Sequence, residues 1–140
     1  MVTQLKNVLV VDGTGWFPYW GDILIEDDTI KDIISGENII IREEKNFDRT
    51  VNFKRGEKPG AYAFVAVGDG PFTKADYEKL VDDIMKDMGT GMKLGKAYRK
   101  QTGYGLGQRE YMVAGMKANL IVLDKETKKI AMSFADGKEL

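Results

Sequence analysis

Apolar residues along this chain fall mostly into short β-branched runs separated by glycine and acidic residues. The run 5–11 ends at a glycine turn over 12–15, and two more runs, 22–26 and 29–33, flank Asp27-Asp28. Runs of this length predict strands, and a two-residue break between them predicts a hairpin. The same pattern predicts strands at 38–42, 61–67, 120–123 and 130–134. The continuously apolar run 120–123 is typical of a strand buried on both faces.

Only the middle of the chain has a helical period. Thr73 precedes Asp76 by three residues, which is a capping box with Asp in place of Glu or Gln. The apolar positions that follow recur at helical spacing: Tyr77, Leu80, Val81, Ile84, Met85 and Met88. Gly89 is predicted as the left-handed residue that ends this helix. A second, weaker helix is predicted over about 92–101, stopped by Gly103.

The segment 43–60 is polar, and only Val51 and Phe53 alternate there as in an exposed strand. We interpret its charges as a solvated face on a disordered or hairpin loop. The acidic clusters Asp22–Asp28 and Asp82–Asp87 lack the alternating ligand spacing of a calcium loop, so we also interpret them as solvated carboxylates.

The composition excludes several classes of function. The chain has 140 residues, a net charge of −1, no Cys and no His, so it has the length of one domain and no large basic surface for nucleic acid. Without His or Cys, catalysis of the Ser/His/Asp, Cys/His or His–metal kind is excluded. No apolar run is long enough to span a membrane, and the N-terminus lacks a signal-peptide pattern, so we expect a cytoplasmic protein.

Four aromatic residues cluster around Pro18: Trp16, Phe17, Tyr19 and Trp20. Such a patch could be a platform for a ligand or a protein partner. Aromatic side chains also dominate ordinary cores, and packing between sheets is the interpretation that we favour.

Two separated segments resemble the amidohydrolase superfamily. The opening LKNVLVVDGTGWFPYWGDILIEDDTIKDI is similar to the N-terminal segment of that family, and closest to the D-aminoacylase-like branch, the N-acyl-D-amino-acid deacylases. The later GLGQREYMVAGMKANLIVLD resembles the signature that follows the catalytic barrel, and the final DGKEL resembles the family's last residues. Asn119 replaces the usual Asp of the signature, and Asp28 replaces the usual turn Gly.

The resemblance implies a fold. In the family, both segments pair into one small β-sandwich outside the barrel. We therefore expect an α+β, mostly β, single domain over 1–140. Its parts are a composite sandwich from 5–42 and 103–140, one or two helices from 73–102, and a segment 61–102 that is a strand–helix–helix insertion or a barrel remnant. The chain is far shorter than a family member, whose barrel alone has about 250 residues.

The resemblance also bears on function. Family members bind zinc through histidines, and these are absent here, so we predict no metal site and no cofactor. Asp69, in AFVAVGDG, resembles the aspartate that acts as general base in the family, although a Gly-Asp-Gly turn after a strand is also common without any such role. Three hypotheses follow. The first is an amidohydrolase-like small domain without hydrolase activity. The second is a binding or assembly module that uses Trp16, Phe17, Tyr19 and Trp20 to hold a protein partner or a second copy of itself as a homo-oligomer. The third is a residual C–N hydrolase using Asp69 beside groups such as Tyr62 and Lys93.

Overall fold

The computed structural model describes residues 1–13, 18–35, 47–67, 70–103 and 112–140. These ranges form strands and helices with the following bounds: β1 Val2–Val10, β2 Tyr19–Glu26, β3 Thr29–Ser35, β4 Arg49–Asn52, β5 Lys54–Arg55, β6 Lys58–Pro59, β7 Ala61–Val65, α1 Lys74–Gly89, α2 Leu94–Thr102, β8 Leu120–Asp124, β9 Ile130–Ala135 and β10 Lys138–Glu139. The α+β, mostly β class is therefore confirmed.

One mixed sheet contains eight of the described strands, in the order β10-β9-β8-β7-β1-β2-β3, with β4 also paired to β1. The first half of β1 pairs in parallel with β4, and its second half pairs in parallel with β7. Between these halves, the register of β1 against β2 shifts at a bulge, where Asn7 has a φ of 60°. Asn tolerates this left-handed conformation better than most residues, so the bulge lets one strand serve two partners.

Both ends of the chain contribute to this sheet, because β7 lies between β1 and β8. The ends also meet directly at the β2–β3 hairpin, where Thr29 forms a bridge with Lys117. Nearby, the Ile30 N–H donates to the Met116 carbonyl at 2.8 Å and the Ala118 N–H donates to the Asp28 carbonyl at 2.9 Å. The turn of the β2–β3 hairpin is thus joined to the segment just before β8.

The two helices cover part of one face of the sheet. Alternation along β7 places Tyr62 and Phe64 on one side and Ala63 on the other. Phe64 meets Tyr98 of α2 with ring centroids 5.2 Å apart. The buried Tyr98 hydroxyl donates to the Val65 carbonyl at 2.6 Å, and the Tyr77 hydroxyl of α1 donates to the Phe134 carbonyl at 2.7 Å. These contacts fix the helices on the Phe64 side of the sheet.

The capping box is confirmed: Thr73 Oγ1 accepts from the Asp76 N–H, and Asp76 Oδ2 accepts from the Thr73 N–H. Gly103 has a φ of 70° and ends α2 as predicted. The prediction for Gly89 is wrong in detail, because Gly89 is the last helical residue and Gly91 has the positive φ of 99°.

The predicted polar loop 43–60 is described only from residue 47. Its hairpin alternative is confirmed at β5–β6, but the expectation of a loop is wrong at Arg49–Asn52, which forms β4 in the main sheet. The predicted strand 38–42 lies outside the described residues. The sequence analysis also missed the β9–β10 hairpin, where Asp136 and Gly137 both have positive φ, as a type I′ turn requires.

Candidate functional site

An aromatic and apolar row lies on the sheet face that carries the helices. Trp20 of β2 pairs with Leu9 of β1, and Leu9 pairs with Tyr62 of β7. Paired residues on neighbouring strands point to the same face, so the three side chains form a row. We call Leu9, Trp20 and Tyr62 the outer patch. Trp20 is 37% exposed, and the other two are half-buried.

Strand β2 divides the predicted aromatic patch between two faces. Tyr19 is next to Trp20 in a strand, so its side chain points to the opposite face, where it packs against the hydrophobic core. Core packing is therefore confirmed for Tyr19, while Trp20 reaches solvent. Trp16 and Phe17 lie outside the described residues.

A cleft of about 840 Å³ adjoins the outer patch. Tyr62 and Pro18 line it on the sheet side. The end of α1, with Met88, and the connection that follows it, with Met92 and Lys93, line the other side. Met is unbranched and flexible, so these walls can adapt to different shapes. The cleft is therefore a mostly apolar depression where the helices stop covering the sheet.

The phenols of Tyr62 at the cleft and of Tyr19 on the opposite face are both neutral near neutral pH. Burial raises the pKa of Tyr62 above its ordinary value. Burial, and then the charge of Asp12, raise the pKa of Tyr19. Neither hydroxyl is thereby activated as a base, so Tyr62 contributes a ring surface and a hydrogen-bonding hydroxyl.

The residual-hydrolase hypothesis grouped Asp69 with Tyr62 and Lys93. The structure places Tyr62 and Lys93 on the lining of one cleft. Asp69 itself lies outside the described residues, and the strand before it, β7, ends at Val65. The structure therefore describes the strand that precedes Asp69, and the role of Asp69 stays a prediction.

The sequence analysis missed a buried carboxylate, Asp22, which lies two positions after Trp20 on β2. Asp22 was interpreted as solvated, and that interpretation is wrong because its exposed fraction is 0%. Its Oδ2 accepts from Gln4 Nε2 at 3.0 Å, and its Oδ1 accepts from the Asn7 main-chain N–H at 3.0 Å. Hydrogen bonds of this kind reduce the cost of burying a charge. The sequence did contain a signal for this burial, because Asp22 immediately precedes the apolar run 23–25.

Asn7 links this carboxylate to the outer patch. Its Oδ1 accepts from the Trp20 indole Nε1 at 2.9 Å, and its Nδ2 donates to Asn52 Oδ1 at 2.9 Å. An indole N–H can only donate, so the orientation of the Asn7 amide is determined. Trp20 is therefore an exposed ring held by a defined hydrogen bond.

The zinc centre of the resembled family does not fit this chain. The chain has no His and no Cys. Among the residues that the structure describes, no three carboxylates come together as a metal site would require. Zinc sites need three or four such ligands, so no step of a mechanism is assigned to a metal.

Comparison with protein-family models gives no match, and no curated protein is similar enough in sequence to count as a relative. Neither helix in the described ranges is long and apolar enough to cross a membrane.

Proposed function

We propose that this chain is an amidohydrolase-like small β-domain without hydrolase activity. The observation that carries the proposal is the direct pairing of the two resembling segments. The Ile30 N–H donates to Met116, and the Ala118 N–H donates to Asp28, so the N-terminal hairpin is joined to the C-terminal signature. This is the pairing that the resemblance implies.

The length between the two segments supports the same proposal. The chain from 34 to 102 is much shorter than a catalytic barrel of about 250 residues. The histidines of the family's metal centre are also absent. A small domain therefore remains without the part of the family fold that performs hydrolysis.

An assay of N-acyl-D-amino-acid hydrolysis tests this proposal, with zinc added and again after chelation. We expect no release of free amino acid above the blank in either condition. Turnover that a chelator abolishes would overturn the proposal. Turnover that resists chelation but disappears in Asp69→Asn, with an unchanged melting temperature, would instead establish a residual hydrolase that depends on Asp69.

A second candidate function is association through the outer patch. Its specific support is Trp20, which keeps 37% of its surface exposed while its indole is hydrogen-bonded. Trp and Tyr supply large contact areas with little entropy to lose, and they are enriched at protein interfaces. The partner that we propose is a second copy of the chain.

Sedimentation velocity over a concentration series tests this association. We expect wild-type protein to self-associate and Trp20→Ala to remain monomeric at the same concentrations. Val113→Ser is the matched control, because Val113 is an exposed apolar residue outside the patch, with 52% of its surface accessible. The association proposal would be contradicted if the wild-type protein stayed monomeric throughout the series, or if both variants lost self-association equally.

A further inference from the structure

The buried carboxylate Asp22 and the exposed Trp20 belong to one hydrogen-bonded chain. Asp22 accepts the main-chain N–H of Asn7, and the side-chain oxygen of Asn7 accepts the indole N–H. The two residues are on the same side of β2, since they are two positions apart. The chain of contacts therefore runs along one face, from an interior group to a surface ring.

The bulge makes this arrangement possible. At Asn7 the register between β1 and β2 shifts, and the positive φ turns the main-chain N–H towards the Asp22 carboxylate. A bulge re-aims a side chain that would otherwise follow the strand. Without its acceptor, the buried N–H would be unsatisfied, and the bulge would have to rearrange to reach another partner.

The side chain of Asn7 follows its backbone. Its Nδ2 is held by Asn52 of β4, which leaves Oδ1 directed at Trp20. Asn52 is itself held, because its Oδ1 also accepts from the Lys54 N–H at 2.9 Å. The orientation of the indole thus depends on groups from β1, β2 and β4.

We infer that Asp22 is a positioning residue for the outer patch: it holds the Asn7 bulge, and Asn7 holds the Trp20 ring. This inference rests on the second candidate function for the use of Trp20 as a contact. A merely structural carboxylate would lower the stability of the fold when replaced but would leave the indole environment of the folded protein unchanged. The positioning role predicts a change in that environment.

Proton–nitrogen NMR of the indole groups makes the distinction. The chain has two Trp residues, and replacing each with Phe assigns its resonance. In Asp22→Leu, which has no acceptor, we expect the Trp20 indole resonance to move upfield, towards that of an indole in water. Asp22→Asn should rescue most of the shift, because its amide oxygen can still accept from Asn7.

Two controls separate positioning from stability. Tyr77→Phe removes a buried hydrogen bond between α1 and β9, far along the chain from Trp20. It should lower the melting temperature without moving the indole resonance. Gln4→Leu removes the hydrogen bond from Gln4 to Asp22 and leaves the Asn7 contact intact, so it should move the resonance less than Asp22→Leu.

A measurement on the wild-type protein covers the case in which Asp22→Leu does not fold. Scalar coupling across hydrogen bonds should connect the Asn7 amide nitrogen to the Asp22 carboxyl carbon, and the Trp20 indole nitrogen to the Asn7 side-chain carbonyl carbon. Absence of either coupling, or an indole resonance that is the same in folded Asp22→Leu and wild type, would overturn the inference.

Self-association then provides the functional readout. Releasing one ordered aromatic side chain adds an ordering cost to binding, so we expect Asp22→Leu to weaken the dimer about threefold to tenfold and Asp22→Asn to weaken it less. If the protein does not self-associate at all, the association proposal fails, while the resonance and the couplings still decide the positioning role. If association holds but the resonance does not move, only the positioning role fails.

Discussion

Replacing Gly137 with Ala tests whether the two ends of the chain pack against each other. Gly137 is in the β9–β10 turn with a φ of 80°. A Cβ built on it would overlap the Asp27 carbonyl oxygen and lie 2.8 Å from the Asp28 Cα. The turn of the C-terminal hairpin therefore touches the turn of the N-terminal hairpin, and the contact has no room for a methyl group.

Gly115 provides the matched control. It also has a positive φ, 95°, but a Cβ there would have no neighbour within 4 Å. Ala in a left-handed conformation costs about 1–2 kcal/mol at either position. At Gly137 the overlap must also push the two turns apart. That movement weakens two main-chain hydrogen bonds, one from the Gly137 N–H to the Ala118 carbonyl and one from the Ala118 N–H to the Asp28 carbonyl. At about 1 kcal/mol for each hydrogen bond, added to the cost of the left-handed conformation, Gly137→Ala should lower the free energy of unfolding by about 3–4 kcal/mol.

Thermal unfolding followed by circular dichroism measures the difference. An unfolding entropy of about 2.1 cal/mol/K per residue gives about 0.3 kcal/mol/K for 140 residues. We therefore expect Gly115→Ala to lower the melting temperature by about 3–7 °C and Gly137→Ala by about 10–13 °C. Equal decreases in the two variants would refute the reasoning, because they would leave only the φ cost and no contact between the turns.

Three further changes test other parts of the fold. Tyr77→Phe leaves the Phe134 carbonyl without its hydroxyl donor, so thermal unfolding should show a loss of about 1–3 kcal/mol; no loss would place that hydroxyl in water. Thr73→Ala removes the N-cap of α1 and should cost about 1 kcal/mol in urea unfolding, whereas Thr73→Ser should restore most of it. Arg55, and then the Thr127 N–H, hold the pKa of Asp124 well below its usual range. This stabilisation is present above the unfolded pKa of about 4 and is lost as the pH falls, so Asp124→Asn should lose less stability than wild type between about pH 5 and pH 2. Parallel acid profiles would contradict the Asp124 contact.

Local signals predicted the elements whose partners are near in sequence. The hairpin over 22–33 follows from alternation around a two-residue turn, and α1 follows from its capping box and apolar spacing. Strand β4 was not predicted because its parallel partner β1 is more than 40 residues away, and Val51 is its only apolar side chain. The β9–β10 hairpin was predictable, since Asp136-Gly137 is a strong turn signal.

The site was less predictable than the fold. Four aromatic residues around Pro18 suggested a single patch, but the period of a strand assigns Tyr19 to the core and Trp20 to the surface. The sequence prediction began that strand at Asp22, and β2 begins at Tyr19. The partners of Trp20 and Asp22 could not be found from sequence alone, because the bulge that joins them depends on register between separate strands.

The position of the helices explains why the outer patch is where it is. Helix α2 covers the sheet at Phe64 through Tyr98, and α1 is joined to β9 through the Tyr77 hydroxyl. The connection between the helices lines the cleft next to Tyr62. Along β7, the same face changes over two residues from fully buried at Phe64 to half-buried at Tyr62. A partner that covers Tyr62 and Trp20 would continue the layer that the helices begin. Association at this edge would therefore complete the burial of one sheet face, which is the physical reason to test Trp20 first.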